Sequence, residues 1–226
     1  MAEMLKNLQP RLKNVRPKVN NTLGRARPLA MRLIAARSVY RIAEEKAYST
    51  CLERNSMISK KIVDAFNGQL NAELYSAYLY LSMGAYLASV KLPGYAAWMR
   101  SQVQEETEHT MKFFDHLIFR GGRVLLEEVK RPSTQWDSPL ALAEATCQHE
   151  RKVTGLIKDL MVLAKTESDQ DSQDLLQWFI DEQEEEEESV GKVLDKIKTA
   201  GSDPRALAQA DVKLGKRGQS SEIADT

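Results

Sequence analysis

The chain has 226 residues, 42% of them hydrophobic, and carries 32 Lys/Arg against 32 Asp/Glu, so its formal net charge is zero. That length supports one domain with a sizeable core plus an appendage. Two cysteines without a CxxC pair argue against a disulfide scaffold or a thiolate metal site and fit a reducing compartment, and no apolar run reaches the roughly 18–20 residues needed to span a bilayer.

The neutral total hides an asymmetry. Residues 1–56 hold 12 Lys/Arg against 4 Asp/Glu, and the remainder holds 20 against 28. The basic segment contains Pro10, Pro17 and Pro28, and only "LAMRLIAARSVYRIAEEKAY" has a helical look. Three readings of it stay open. Arg-rich, acid-poor composition is that of an organellar transit peptide; the charge alone would suit a nucleic-acid-binding arm; and translation can begin at Met57, the preceding stretch being upstream read-through. A secretory signal is not expected, because arginines interrupt the apolar run and no small-residue cleavage site follows it.

From Met57 onward the pattern is that of long amphipathic helices. The first is expected over about 59–90, with Ile62, Phe66, Gln69, Glu73, Ala77, Tyr80, Gly84 and Leu87 on one stripe. "KLPGY" breaks it. The second spans about 94–119, striped Trp98, Gln102, Glu106, His109, Phe113 and His116, with "RGG" as its C-terminal stop. The stretch "VLLEEVKRPSTQWDSP" is too long for a tight helix hairpin and predicts a crossover. Ser138 as N-cap and Pro139 in the first turn open the third helix, striped Leu142, Thr146, Glu150, Val153, Ile157, Leu160 and Ala164. The fourth starts near Asp169 and shows Leu176, Phe179, Gln183, Glu186, Val190, Val193 and Ile197. A short fifth helix, about 204–214, follows "AGSDP", and residues 216–226 read as a polar tail. No strand pattern competes, so the fold class is all-α: a four-helix bundle with one long crossover and a short C-terminal helix.

Within "WFIDEQEEEEESVGKVL" five glutamates, Glu184 to Glu188, run consecutively. Stepping by three and four from Leu176 places Gln183 and Glu186 inward, whereas Glu184, Glu187 and Glu188 fall off the stripe, where water can solvate them. Each other long helix repeats the oddity: Glu73, the ExxH pair Glu106 and His109, and Glu150 interrupt their stripes near mid-helix. A lone Glu on an apolar stripe is most often a boundary residue, and a lone ExxH is a weak signal. Four such interruptions at one height are different, because buried carboxylates repel one another and lose hydration. Two divalent cations among them would balance the charge, and oxygen-rich ligands with a histidine suit iron or manganese. Tyr80, two turns from Glu73, is either a core tyrosine or a redox-active neighbour. Glu105, Glu182 and Glu185 each precede a stripe position and are either surface carboxylates or a further, weaker metal site. His116 reads as a satisfied core or supporting histidine, His149 and Cys147 as structural, and Trp98, Trp136 and Trp178 as packing aromatics.

The motifs "NAELYSAYLYLS", "QEETEH", "RGGRV", "WDSPLALAEA" and "LQWFIDEQEEEE", in this order, resemble the non-haem ferritins of bacterial and archaeal type, over residues 57–215. The resemblance implies a ferritin-like di-iron domain. Glu73, Glu106 and His109 would hold a first iron; Glu106 would bridge to a second held by Glu150 and Glu186, with Gln183 close by. Glu105, Glu182 and Glu185 match a third iron site and Tyr80 a near-site tyrosine. The implied activity is that of a ferroxidase, oxidising Fe(II) with O2 or H2O2 and storing ferric mineral inside a homo-oligomeric shell of 24 subunits. The implied location is cytoplasmic, or organellar if residues 1–56 are a transit peptide, without membrane or nucleic-acid partners. Haem is not expected, since Thr107 stands where haem-binding relatives place Met, and Gln183 and Glu186 stand where they use Glu and His. Another di-metal oxidase or catalase on the same bundle, and a DNA-protecting shell protein, are the competing readings.

Overall fold

A computed structural model describes residues 58–218; the basic segment 1–56, with Cys51, and most of the polar tail lie outside the described residues. The apolar stripes become five helices, α1 (Lys60–Ser89), α2 (Pro93–Phe119), α3 (Pro139–Thr166), α4 (Gln170–Ala200) and α5 (Pro204–Gly218). The last runs four residues past the expected Leu214. No helix among the described residues is long and apolar enough to cross a membrane.

The termini follow local chemistry. Ser59, Ser138 and Asp169 cap α1, α3 and α4 by accepting the amides of Ile62, Ala141 and Ser172. α1, α2 and α3 all stop in the same way, with one residue in the left-handed region and paired backward hydrogen bonds to the last turn. After α2, Gly121 has φ 72° while Gly122 N–H reaches the Leu117 carbonyl at 2.8 Å. After α1 and α3 the left-handed residue is not glycine but Lys91 (φ 64°) and Ser168 (φ 55°).

α1 packs against α2 and α3 against α4, giving two antiparallel hairpins joined by the crossover, with α1 also touching α3. The crossover is strapped along α1 by side chains. Asn67 donates to the Arg123 carbonyl at 2.9 Å and accepts the Leu125 amide at 2.6 Å. One turn on, Asn71 donates to the Leu125 carbonyl at 3.0 Å and accepts the Glu127 amide at 2.9 Å. Four residues of helix and two of extended chain both advance about 6–7 Å, which is why the register repeats. Ser82 and Tyr86 continue the strap to the carbonyls of Ser133 and Trp136.

The core is not continuous. One apolar cluster gathers Tyr80, Met83, Leu87, Tyr95, Trp98, Met99, Leu142, Val190, Val193 and Ile197, and takes in Leu214 of α5. The other gathers Ile62, Phe66, Leu70, Phe113, Leu117, Val153, Ile157, Leu176 and Phe179, with Phe113 and Phe179 stacked at 4.4 Å. Between them the stripes carry Gln69, Glu73, Glu106, His109, Glu150, Gln183 and Glu186, all buried. A polar belt divides the interior.

Candidate metal centre

The belt exists because each of the four long helices puts a polar residue where its stripe faces the bundle axis. Relative exposures are 1% for Glu73, 4% for Glu106, 3% for His109, 1% for Glu150, 2% for Gln183 and 7% for Glu186. Donor atoms of Glu73, Glu106 and His109 all lie within 4.8 Å of one another. His109 Nδ1 stands 3.5 Å from Glu106 Oε2 without forming a hydrogen bond. One oxygen of Glu73 accepts Gln69 Nε2 at 2.9 Å; its Oε2, like Glu106 Oε2, is buried without a hydrogen-bond partner.

Across the belt, Glu150 is held from two sides. The Tyr80 hydroxyl donates to its Oε1, and Gln183 Nε2 lies 3.3 Å from its Oε2. Glu186 falls outside the Glu73, Glu106 and His109 cluster, but the charges of Glu105, Glu150, Glu106 and Glu182 all act on it. The result is one lobe on α1 and α2 and a second on α3 and α4, with Glu106 and Glu186 interacting between them.

Loss of hydration dominates the electrostatics. Burial, then the Glu106 charge, raises the Glu73 carboxyl to about 8. Burial also raises Glu106 to about 8, against a lowering hydrogen bond with Glu73. Glu150 rises to about 7 and Glu186 to about 9, burial leading in each case and neighbouring carboxylates adding to it. With no counter-charge the belt therefore retains protons at neutral pH; a cation at its centre would displace them. Two carboxylates and an imidazole with donor atoms within 4.8 Å of one another, each carboxylate keeping one buried oxygen without a hydrogen-bond partner, fit a hard or borderline divalent cation.

The remaining candidate residues sort by exposure. Glu105 and Glu182 are half-buried at the edge of the belt, Glu182 Oε1 being 4.0 Å from His109 Nε2. Glu105 accepts a hydrogen bond from Gln102, and burial raises its carboxyl, Glu182 adding to the rise while His109 opposes it. Glu185 is exposed. His116 lies outside the belt, 3.1 Å from Ser172 Oγ and against Phe66 of the second apolar cluster. His149 hydrogen-bonds Ser76 at 2.8 Å and packs edge-on against Tyr80, with burial lowering its ring to about 4.

Three features depart from the sequence reading. Glu187 is half-buried rather than water-solvated, because the packing of α3 on α4 brings the Thr154 hydroxyl to 2.6 Å from it. Trp178 does more than pack: its ring lies 5.7 Å from His109 and beneath Lys112 Nζ. Gln69 and Thr154 contact belt carboxylates directly or through Gln183; the only sequence signal was the amide of Gln69 on a buried stripe, and Thr154 gave none.

Residues 63–200 match the family described as "Ferritin-like domain". A bacterial non-heme ferritin of Bacteroides fragilis is 39% identical over 161 residues, which is 71% of this chain and 100% of that protein. One of Campylobacter jejuni is 36% identical over 155 residues, 69% of this chain and 93% of that protein. Among solved structures, an open pore ferritin of Archaeoglobus fulgidus superposes with a TM-score of 0.69 at 48% identity, covering 70% of this chain and 98% of that one.

Proposed function

The chain belongs to the ferritin family, whose general function is iron storage with ferroxidase activity, and from that premise we propose that the buried belt is its ferroxidase centre, with two Fe(II) ions per chain as substrates. Glu73, Glu106 and His109 take the first, Glu106 also reaches the second, and Glu150, Glu186 and Gln183 complete it. Each Fe(II) gives up one electron, so the pair delivers two to one O2 or one H2O2. The carboxylates release their protons as iron enters, and hard anionic oxygens favour Fe(III) over Fe(II), which drives the electron transfer. Tyr80 steadies Glu150 through its hydroxyl.

Glu105 and Glu182, with Glu185 farther out, form a weaker third position through which iron passes between the centre and the shell interior. The chain assembles as a hollow homo-oligomer of about 24 copies, the family's expectation, stores ferric mineral inside it and works in the cytoplasm without haem. The single observation that carries this reading is the buried cluster of Glu73, Glu106 and His109, whose donor atoms lie within 4.8 Å of one another while Glu73 Oε2 and Glu106 Oε2 have no hydrogen-bond partner.

Aerobic addition of Fe(II) tests it. Ferric absorbance should rise within seconds to minutes for the native chain and slow at least tenfold for Glu106→Ala. A Glu106→Ala protein that oxidises iron at the native rate excludes this centre as the catalyst. Particle mass and iron content measured together separate a storage shell from a compact di-metal oxidase, which would hold only a few metals per chain.

A further inference from the structure

The hydroxyl of Thr154 on α3 carries one hydrogen, and two acceptors compete for it: the Glu187 carboxylate at 2.6 Å and the Glu150 carbonyl at 3.0 Å. The shorter, charge-assisted bond wins, so Thr154 donates to Glu187. Its oxygen then accepts from Gln183 Nε2, 3.2 Å away. The same nitrogen lies 3.3 Å from both the carbonyl and the Oε2 of Glu150. Three acceptors around one end of the amide identify that end as the nitrogen. The amide carbonyl is left on the opposite edge. Hydrogen bonds aligned in one direction, from Gln183 to Thr154 to Glu187, polarise one another.

We propose that Thr154, anchored by Glu187, is a positioning residue that locks the Gln183 amide with its nitrogen toward Glu150 and its carbonyl free for a cation, and so sets the affinity of the iron position formed by Glu150 and Glu186. This rests on the reading of Glu150, Gln183 and Glu186 as iron-binding. Neither Thr154 nor Glu187 touches iron itself. Replacing the hydroxyl by a methyl group of the same shape leaves α3 and its packing in place but removes the nearest of the three acceptors that hold the amide.

Anaerobic titration of the full chain with Fe(II), followed by calorimetry, tests this without turnover. Thr154→Val should weaken one of the two iron positions about tenfold, the worth of one lost hydrogen bond, leaving the other position unchanged. Thr154→Ser should restore native binding. Native affinity at both positions in Thr154→Val, or a Thr154→Ser protein as weak as Thr154→Val, overturns the proposal. Glu187→Gln, which keeps an acceptor but loses the charge, should weaken the same position by a smaller factor, and it decides the matter if Thr154→Val does not fold: unchanged binding then overturns the proposal. Glu150→Ala is the reference. If it too binds both irons normally, the assignment of the centre has failed, and the role of Thr154 with it; if it loses a position while Thr154→Val does not, only the role of Thr154 has failed.

Discussion

The Asp211 carboxylate on α5 accepts the Tyr95 amide at 2.8 Å, and that of Gly94 at 3.0 Å, so the first turn of α2 is capped by a residue 116 positions away. Leu92, the local N-cap, supplies no side-chain bond. The approach is close enough that a Cβ on Gly94 would meet the Asp211 backbone at 2.0 Å. Asp211→Ala should therefore uncap α2 and loosen α5 together, destabilising the chain by about 1–2 kcal/mol. Chemical denaturation would show this, and Gly94→Ala should be worse. A neutral Asp211→Ala variant would mean that Leu214 and its apolar neighbours hold α5 alone.

The belt carboxyls predict an unusual pH response for the metal-free protein. Glu73, Glu106, Glu150 and Glu186 have folded values of about 8, 8, 7 and 9, above the ordinary 4.5. Between those limits the unfolded chain has lost protons that the folded chain keeps, so stability falls as pH rises from about 5 to about 9. Melting temperatures in chelator should follow that slope, and Glu73→Gln should flatten it. The same protons must leave when a metal binds. Anaerobic Fe(II) added to weakly buffered protein at neutral pH should acidify the solution, and Glu106→Gln should release fewer protons.

Ser168 is exposed and holds a left-handed backbone, φ 55°, between α3 and α4. A side chain is strained there, whereas glycine is not. Ser168→Gly should stabilise by about 0.5–1 kcal/mol after allowing for the greater freedom of glycine in the unfolded chain. The melting temperature should rise by a few degrees. A fall would show that the serine side chain contributes more than its backbone costs.

The crossover strap predicts residue-specific hydrogen exchange. Asn67→Ala should expose the Leu125 amide and leave that of Glu127 protected; Asn71→Ala should do the reverse. Uniform loss of protection across the crossover in either variant would mean that the strap is one cooperative unit rather than two independent clamps.

Much of this was legible in residue order. Apolar spacing of three and four specifies helices whatever their neighbours are, so α1 to α4, the Ser138 cap and the start of α4 near Asp169 were readable to within a residue or two. The same periodicity marked Glu73, Glu106, His109, Glu150, Gln183 and Glu186 as polar residues on buried stripes, and burial of a carboxylate is informative because hydration is costly to lose. What periodicity cannot carry is which residue of one helix meets which of another. Whether Glu187 faces water or Thr154, whether Tyr80 reaches Glu150, and whether α2 is capped by its own turn or by Asp211 depend on distances between elements far apart in the chain. Those distances follow from how side chains interlock when α1 packs on α2, α3 on α4 and α5 on α2. The sequence by itself thus determined the helices and the buried carboxylates they carry, and the tertiary structure alone decided the hydrogen bonds that orient them.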